Sequence, residues 1–205
     1  RQTFSDQPGK DQQETIASLL KSQWQLTADT RLEALLSYTH GNIFYGYDAD
    51  WVSPQFCMLD PDCAPGDTDT ATEAFDRDRL SYSADVRLVS GEGTGDSRYV
   101  VGFYARQTEE QLDYAYNSLF FGDFSSSSNY ESDRLAAYGN VTLPLSDKLF
   151  LTTGLRYERF ADDYSDSNAF KSSNRDDLWN AELTLEYFAS DTTLFYGTLS
   201  RGSKP

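Results

Sequence analysis

Two stretches near the end of the chain decide the fold, residues 148–160 (KLFLTTGLRYERF) and residues 178–188 (LWNAELTLEYF). Apolar and polar side chains alternate along both. In the second stretch the apolar positions are Trp179, Ala181, Leu183, Leu185 and Tyr187, and the residues between them are Asn180, Glu182, Thr184 and Glu186. Because successive side chains of a strand point to opposite sides, each stretch is predicted to be a β-strand with one apolar and one polar face.

The same alternation recurs along the whole chain and predicts eight strands, with no helical periodicity between them. The predicted strands are residues 14–26, 31–45, 77–89, 98 to about 114, 131–143, 148–160, 178–188 and 193–201. Short turns are predicted at 27–30, 90–97, 144–147 and 189–192. Long loops are predicted at 46–75, 116–130 and 162–174, and residues 1–13 are expected to form a loop as well.

These features are typical of a transmembrane β-barrel. The predicted strands exceed the usual globular length of about 5–6 residues. Long alternating strands joined in turn by short turns and long loops characterise outer-membrane barrels. The apolar face is then expected to meet lipid and the polar face a wet lumen. The alternative is a soluble antiparallel sheet, but the sequence offers no opposing layer to cover its apolar face.

The amino-acid composition further narrows the class of protein. The formal net charge of −16 makes nucleic acid an improbable partner, so none is expected. A hydrophobic content of 39% with 15% aromatic residues suits a thin apolar band between polar surfaces. The sequence has no run of eighteen apolar residues, and therefore no transmembrane helix is predicted. The polar start at Arg1 is typical of a mature or excised chain.

The two cysteines, Cys57 and Cys63, lie close together in the segment CMLDPDC. A disulfide between them is the preferred prediction and implies an oxidising compartment, while two free thiols remain the alternative. A thiolate metal site needs further ligands, and His40 is the only histidine of the chain. No metal site is therefore predicted.

The order of turns and loops gives an expected orientation. Short turns of such barrels face the periplasm and long loops face outside. The first strand would then run inward from outside and the eighth would end outside. Complete bacterial barrels have their termini in the periplasm, so we expect residues 1–205 to be part of the barrel domain of a longer chain.

Three segments carry a resemblance to a known family. Strand motifs of the β-barrel of TonB-dependent outer-membrane receptors resemble three segments, residues 151–160 (LTTGLRYERF), 194–197 (LFYG) and 200–205 (SRGSKP). The resemblance implies an all-β, antiparallel barrel of about 22 strands, of which this chain would supply about eight. It also implies an N-terminal plug domain, and no plug segment is recognised in this sequence.

The resemblance further implies a function in the outer membrane of a Gram-negative bacterium. Such receptors take up scarce ligands, most often an iron–siderophore complex, with energy from TonB. The implied partners are outer-membrane lipid, the plug domain, the remaining barrel strands and TonB. No cofactor is implied beyond the transported iron complex. The alternative is a complete small barrel that acts as a passive pore or a structural protein.

No enzymatic activity is predicted. An outer-membrane hydrolase needs a general base beside a nucleophile, and His40 with a serine is the only imidazole-based option. A lone histidine more often has a structural role. The acidic runs at 60–62, 67–69 and 162–166 offer oxygen ligands for calcium, but their spacing does not match a calcium loop, and solvated loops are the preferred interpretation.

Aromatic side chains in the predicted extracellular loops are candidates for gripping an organic ligand. The candidates are Tyr47, Trp51, Phe56, Tyr116, Phe121 and Phe124. Tyr45 and Tyr114 lie near predicted strand ends and are assigned to the aromatic girdle at the lipid headgroups. A second set of ionic residues is predicted to face the lumen and to pair across strands. This set contains Arg87, Arg106, Arg156, Glu182 and Glu186.

Overall fold

The computed structural model describes residues 5–51, 70–90 and 97–204. They form eight strands: β1 (Lys10–Gln25), β2 (Thr30–Asp48), β3 (Ala71–Ser90), β4 (Arg98–Ser118), β5 (Phe124–Ser146), β6 (Leu149–Asp166), β7 (Lys171–Ser190) and β8 (Thr193–Arg201). Each strand pairs antiparallel with its neighbour in sequence, so that one sheet has the order β1 to β8. The predicted all-β class and the eight strands are confirmed. Within the described ranges, no helix has the length and apolarity needed to cross a membrane.

Seven of the eight strands are longer than predicted, β8 has its predicted bounds, and two predicted long loops are wrong. Between β4 and β5 the turn covers only residues 119–123, and between β6 and β7 only residues 167–170. The rest of the segments predicted as loops continues the two hairpins, since backbone pairing extends to Tyr116 opposite Phe124. β1 likewise begins at Lys10, inside the predicted N-terminal loop. Proline does not end β5 either, because a bulge at Pro144 to Ser146 lets the strand continue.

The sheet has two chemically distinct faces. Glu33 of β2 lies opposite Arg87 of β3, and the residues in register with this pair define what we call the polar face. The other side, which we call the apolar face, carries Leu36 and Ala84 in register. In the part of the chain that the structure describes, the buried apolar side chains are Ala71, Ala136 and Phe160. Such a small buried set gives no hydrophobic core of the kind that a soluble sheet needs.

The apolar face instead carries its large side chains in the open. The most exposed include Leu20, Val101, Phe103, Leu135, Leu155, Leu183 and Leu199. Burying this surface in lipid removes it from water, at about 25 cal/mol per Å². Tyrosine and tryptophan rings pair at the upper edge of this band, with Tyr38 5.3 Å from Tyr82 and Tyr157 4.6 Å from Trp179 between ring centroids. Such rings mark the level of the lipid headgroups.

The strands extend well beyond this band. β3 has 20 residues, of which the apolar alternation covers Leu80 to Leu88. A strand of this length spans about 66 Å, or about 45 Å in height when tilted, against an apolar band of about 25 Å. Upward from the aromatic pairs the apolar face becomes polar, with His40, Asp78 and Glu109 on it. The loop-side ends of the hairpins therefore extend well beyond the apolar band.

Candidate functional site

A continuous row of aromatic rings crosses four strands at the loop-side end of the polar face. The row consists of Trp51, Tyr47, Tyr45, Phe75, Tyr114 and Phe124, and we call it the aromatic strip. Its consecutive centroid distances are 6.3, 5.5, 6.5, 5.0 and 6.0 Å. Four of the rings come from different strands, because Tyr45, Phe75, Tyr114 and Phe124 occupy adjacent register positions on one face.

Half of the strip is exposed and can be reached by a ligand. Tyr45 is 47% exposed and Phe124 is 52% exposed, while Trp51 at the end of the strip is 67% exposed. Trp51 adopts a positive φ of 59°, and its backbone N–H donates to Oδ1 of Asp48 at 3.1 Å. Since Asp48 is 3% exposed, this hydrogen bond anchors the start of the loop at the strand end. The backbone of the last residue of the strip is thus held in place, while its ring is open to solvent.

Glu73 gives the strip a polar edge. The hydroxyl of Tyr114 donates to Oε1 of Glu73 at 2.7 Å. This hydrogen bond, together with desolvation and the charge of Glu73, raises the pKa of Tyr114 to about 12. The phenol therefore stays protonated at neutral pH. A carboxylate next to stacked rings offers an orienting group for a ligand that has both aromatic and polar parts.

The sequence predicted part of this strip. Tyr47, Trp51 and Phe124 belong to it, although Tyr47 and Phe124 are strand residues rather than loop residues. Tyr116, also a strand residue, lies on the same face, in register with Glu73 and Phe124. Phe121 lies apart from the strip, in the turn after β4, where its ring contacts Phe120 at 5.0 Å. Phe56, Cys57 and Cys63 lie outside the described residues, so their predicted roles remain predictions.

The assignment of Tyr45 and Tyr114 to the lipid girdle is wrong. Both belong to the polar face, as their register positions and ring contacts with Phe75 show. The alternation of side chains along each strand is enough to place both tyrosines on the polar face. Counting in steps of two from Glu33 reaches Tyr45, and counting from Arg106 reaches Tyr114. Phe75 was missed because it was placed at the end of a predicted loop.

The five predicted lumenal ions all lie on the polar face, but their pairing differs from the prediction. Arg87 pairs across strands with Glu33 at 2.8 Å. Arg156 instead pairs with Glu158 of its own strand at 2.6 Å, and Arg106 donates Nε–H to the Ser81 hydroxyl at 3.1 Å. Glu182 accepts from Thr184 at 3.2 Å. Glu186 lies in register with Phe150 and Tyr196.

An ordered network holds the lower part of this face. Glu33 is 6% exposed and accepts from Arg31, Arg87 and Gln23 at 2.7 to 2.9 Å. The hydroxyl of Tyr138 lies 2.9 Å from both oxygens of Asp85, two strands away. Tyr138 reaches across β4 because Gly102 has no side chain to block it. These hydrogen bonds join β1, β2, β3 and β5 and make this wall rigid.

Two other side-chain groups bear on the function. His40 Nε2 lies 2.8 Å from Oδ2 of Asp78 on the apolar face, above the aromatic pairs, so the imidazole has a carboxylate partner. Carboxylate oxygens of Asp6, Asp48 and Asp50 lie within 4.8 Å of one another, a spacing that suits a cation. Of the acidic runs considered for calcium, Asp166 instead caps a turn by accepting from the N–H groups of Asn168 and Phe170.

A groove of about 1090 Å³ crosses seven strands away from the aromatic strip. Its lining takes residues from both sequence phases of the strands, with Leu36, Tyr82 and Leu135 of the apolar face and Ser83, Arg106 and Arg134 of the polar face. The groove therefore includes Arg106, one of the predicted lumenal ions.

Comparisons with known proteins agree on one family. The family profile described as "TonB dependent receptor-like, beta-barrel" matches residues 1–205. The pesticin receptor of Yersinia enterocolitica is 28% identical over 134 residues, which is 60% of this chain and 20% of the receptor. The pesticin receptor of Yersinia pestis matches to the same extent. The chain thus spans about one fifth of the length of these relatives.

Solved structures show the same fold. The ferric yersiniabactin uptake receptor of Yersinia pestis superposes with a TM-score of 0.72 at 18% identity, covering 91% of this chain and 27% of that one. A ferric-catecholate import receptor of E. coli K12 gives a TM-score of 0.70 at 12% identity, covering 98% and 37%. The chain therefore belongs to the TonB-dependent receptor family, as the resemblance of its strand motifs implied, and it matches the β-barrel domain of these proteins.

Proposed function

We propose that the eight strands are part of a longer outer-membrane receptor that takes up an iron–siderophore complex with energy from TonB. The family match over residues 1–205 is the observation that carries the proposal. Members of this family are receptors and transporters of the Gram-negative outer membrane, and the relatives with solved structures include uptake receptors for ferric yersiniabactin and ferric catecholates. A passive pore has no comparable support.

The two faces support the roles of lipid and interior. The apolar face, with its exposed leucines and paired aromatic rings, suits outer-membrane lipid. The polar face then lines the interior, where the plug domain and the remaining strands of the receptor would complete the barrel. The aromatic strip lies at the loop-side rim of that interior and is the proposed ligand contact, with Glu73 beside it.

Uptake of radioactive iron by a deletion strain tests the proposal. The gene that encodes these strands is deleted in its native bacterium, and iron-starved cells receive ⁵⁵Fe complexed by yersiniabactin, a catecholate or citrate. We expect loss of uptake for one complex, its return on complementation, and its loss again when a proton uncoupler removes the energy source. Unchanged uptake of every complex would contradict siderophore transport, and uptake that is insensitive to the uncoupler would contradict TonB coupling.

A further inference from the structure

Four arginines gather on the polar face between the aromatic strip and the rigid lower wall. They are Arg77 and Arg79 on β3, Arg106 on β4 and Arg134 on β5, and we call them the basic patch. The chain as a whole has a formal net charge of −16, so this local excess of positive charge runs against its composition. A local excess of one sign points to a ligand of the opposite charge.

Carboxylates neutralise only part of the patch. Glu110 is shared by Arg77 at 3.4 Å and Arg79 at 3.7 Å. Glu158 lies 3.8 Å from Arg134, but its closer partner is Arg156 at 2.6 Å. For Arg106, no carboxylate of the described residues lies within ion-pair distance, and its hydrogen-bond partner is the neutral hydroxyl of Ser81.

Arg106 and Arg134 lie directly opposite each other on neighbouring strands. Like charges in this position repel each other and destabilise a sheet unless an anion compensates them. Arg106 is held by the Ser81 hydroxyl, and Arg134 lies over the ring of Phe160 at 4.9 Å with the shared carboxylate of Glu158 at 3.8 Å. The pair is therefore positioned by its neighbours and only partly neutralised.

We propose that Arg106 and Arg134 form an anion-binding site that takes a carboxylate group of a small-molecule ligand. A guanidinium group presents paired N–H donors that match the two oxygens of a carboxylate, and two such groups side by side suit a ligand with more than one carboxylate. The site lies eight residues along β4 from Tyr114, about 26 Å farther from the rim. It rests on the proposed function only in that the polar face must line the receptor interior.

Calorimetric titration of the complete detergent-solubilised receptor with citrate tests this site. We expect citrate to bind the unaltered protein, more weakly at about 0.15 M than at about 0.01 M salt. The double variant Arg106→Gln/Arg134→Gln should bind at least about tenfold more weakly, since it loses charge-assisted hydrogen bonds. The matched control Arg159→Gln/Arg175→Gln removes two arginines from the apolar face and should bind like the unaltered protein.

Two outcomes overturn the proposal. One is the absence of citrate binding by the unaltered receptor, as expected if a carboxylate of the receptor itself fills the site. The other is equal binding by the glutamine double variant and its control. If the glutamine variant does not fold, the double variant Arg106→Lys/Arg134→Lys replaces it in the test. This variant keeps both positive charges and loses the planar pairs of N–H donors, so we expect it to bind citrate more weakly. Unchanged citrate binding by the lysine variant would refute the site. Citrate binding with failed iron uptake would refute the transport function and leave this site in place.

Discussion

Gly102 shows how one residue without a side chain organises the polar face. A Cβ atom at this position would lie 2.7 Å from the hydroxyl oxygen of Tyr138 and 2.8 Å from Cβ of Arg87. Gly102→Ala therefore displaces Tyr138 from Asp85, and we expect a loss of about 1–3 kcal/mol in the free energy of unfolding. Urea unfolding of the receptor in lipid vesicles measures this change.

Gly154 supplies the matched control for this substitution. It lies on the polar face of β6, between β5 and β7, and a Cβ atom built there has its nearest neighbour at 3.8 Å. Gly154→Ala should therefore change stability by less than about 0.5 kcal/mol. An equal loss in both variants would show that the backbone preference of the glycines matters and the position of Tyr138 does not.

Tyr114 makes the rim sensitive to strongly alkaline pH. Its pKa is raised to about 12 in the folded protein, chiefly by its hydrogen bond to Glu73, whereas an unfolded tyrosine titrates near 10. The folded state therefore holds the proton more tightly between these two values. The stabilisation is complete below about pH 10 and is lost as the pH rises towards 12. In an ultraviolet difference titration of tyrosinate, the contribution of Tyr114 should appear near pH 12.

Glu73→Gln is the test of this cause. Removing the carboxylate removes both the strong acceptor and the negative charge, so the late phenol should titrate nearer pH 10. Tyr114→Phe identifies the signal, because the amplitude of the late transition should fall by the contribution of this phenol. If that contribution stays near pH 12 in Glu73→Gln, burial rather than the carboxylate raises the pKa of Tyr114.

At the level of strands, the sequence predicted the strand positions well where the two faces of the sheet meet different environments. Between Leu80 and Leu88 apolar and polar residues alternate, and β3 was found there. Above the apolar band both faces meet water, and alternation disappears. The segment 125–128 (SSSS) and the acidic segment 162–166 therefore resembled loops, although the backbone ladder continues through both. Backbone pairing continues through these parts of the hairpins, and the amino-acid composition does not record it.

The sequence likewise predicted only part of the candidate site. Tyr47, Trp51 and Phe124 were found because aromatic residues are conspicuous in a polar segment. Tyr45 and Tyr114 were given the wrong face, because nearness to a strand end was weighed above strand phase. The row itself depends on the register between β2, β3, β4 and β5, which brings rings together from residues up to 79 positions apart, as in Tyr45 and Phe124.

Val100 and Val101 test the assignment of the two faces of β4 with one residue type. Val101 is 46% exposed on the apolar face, and Val100 points to the polar face. Val101→Arg should destabilise the barrel by about 1–3 kcal/mol in lipid, because a charge then faces hydrocarbon. Val100→Arg should cost clearly less. Equal costs, measured by heat-dependent gel mobility after refolding into vesicles, would contradict the lipid assignment.

At the scale of the whole molecule, the polar face presents different chemistry at successive heights. The aromatic strip lies at the loop-side rim, the basic patch follows along the same strands, and the network around Glu33 and Tyr138 closes the lower wall. A ligand that enters from the loops meets stacking surfaces before it meets arginines. Under the proposed function, the rings near the rim would bind ligands of varied shape, and the paired guanidinium groups farther inside would select for oxyanions.

Phe75 lies between Tyr45 and Tyr114, and its removal divides the aromatic strip. We expect Phe75→Ala to weaken binding of the transported ferric complex about threefold to tenfold, since each aromatic contact contributes about 0.5–1.5 kcal/mol. Binding of the ⁵⁵Fe complex to energy-depleted cells measures this step without transport. Phe103→Ala is the control, because Phe103 is a phenylalanine on the apolar face of β4 and is 66% exposed there. An equal loss in both variants would attribute the effect to folding or insertion, and no loss in Phe75→Ala would exclude the aromatic strip as the ligand contact.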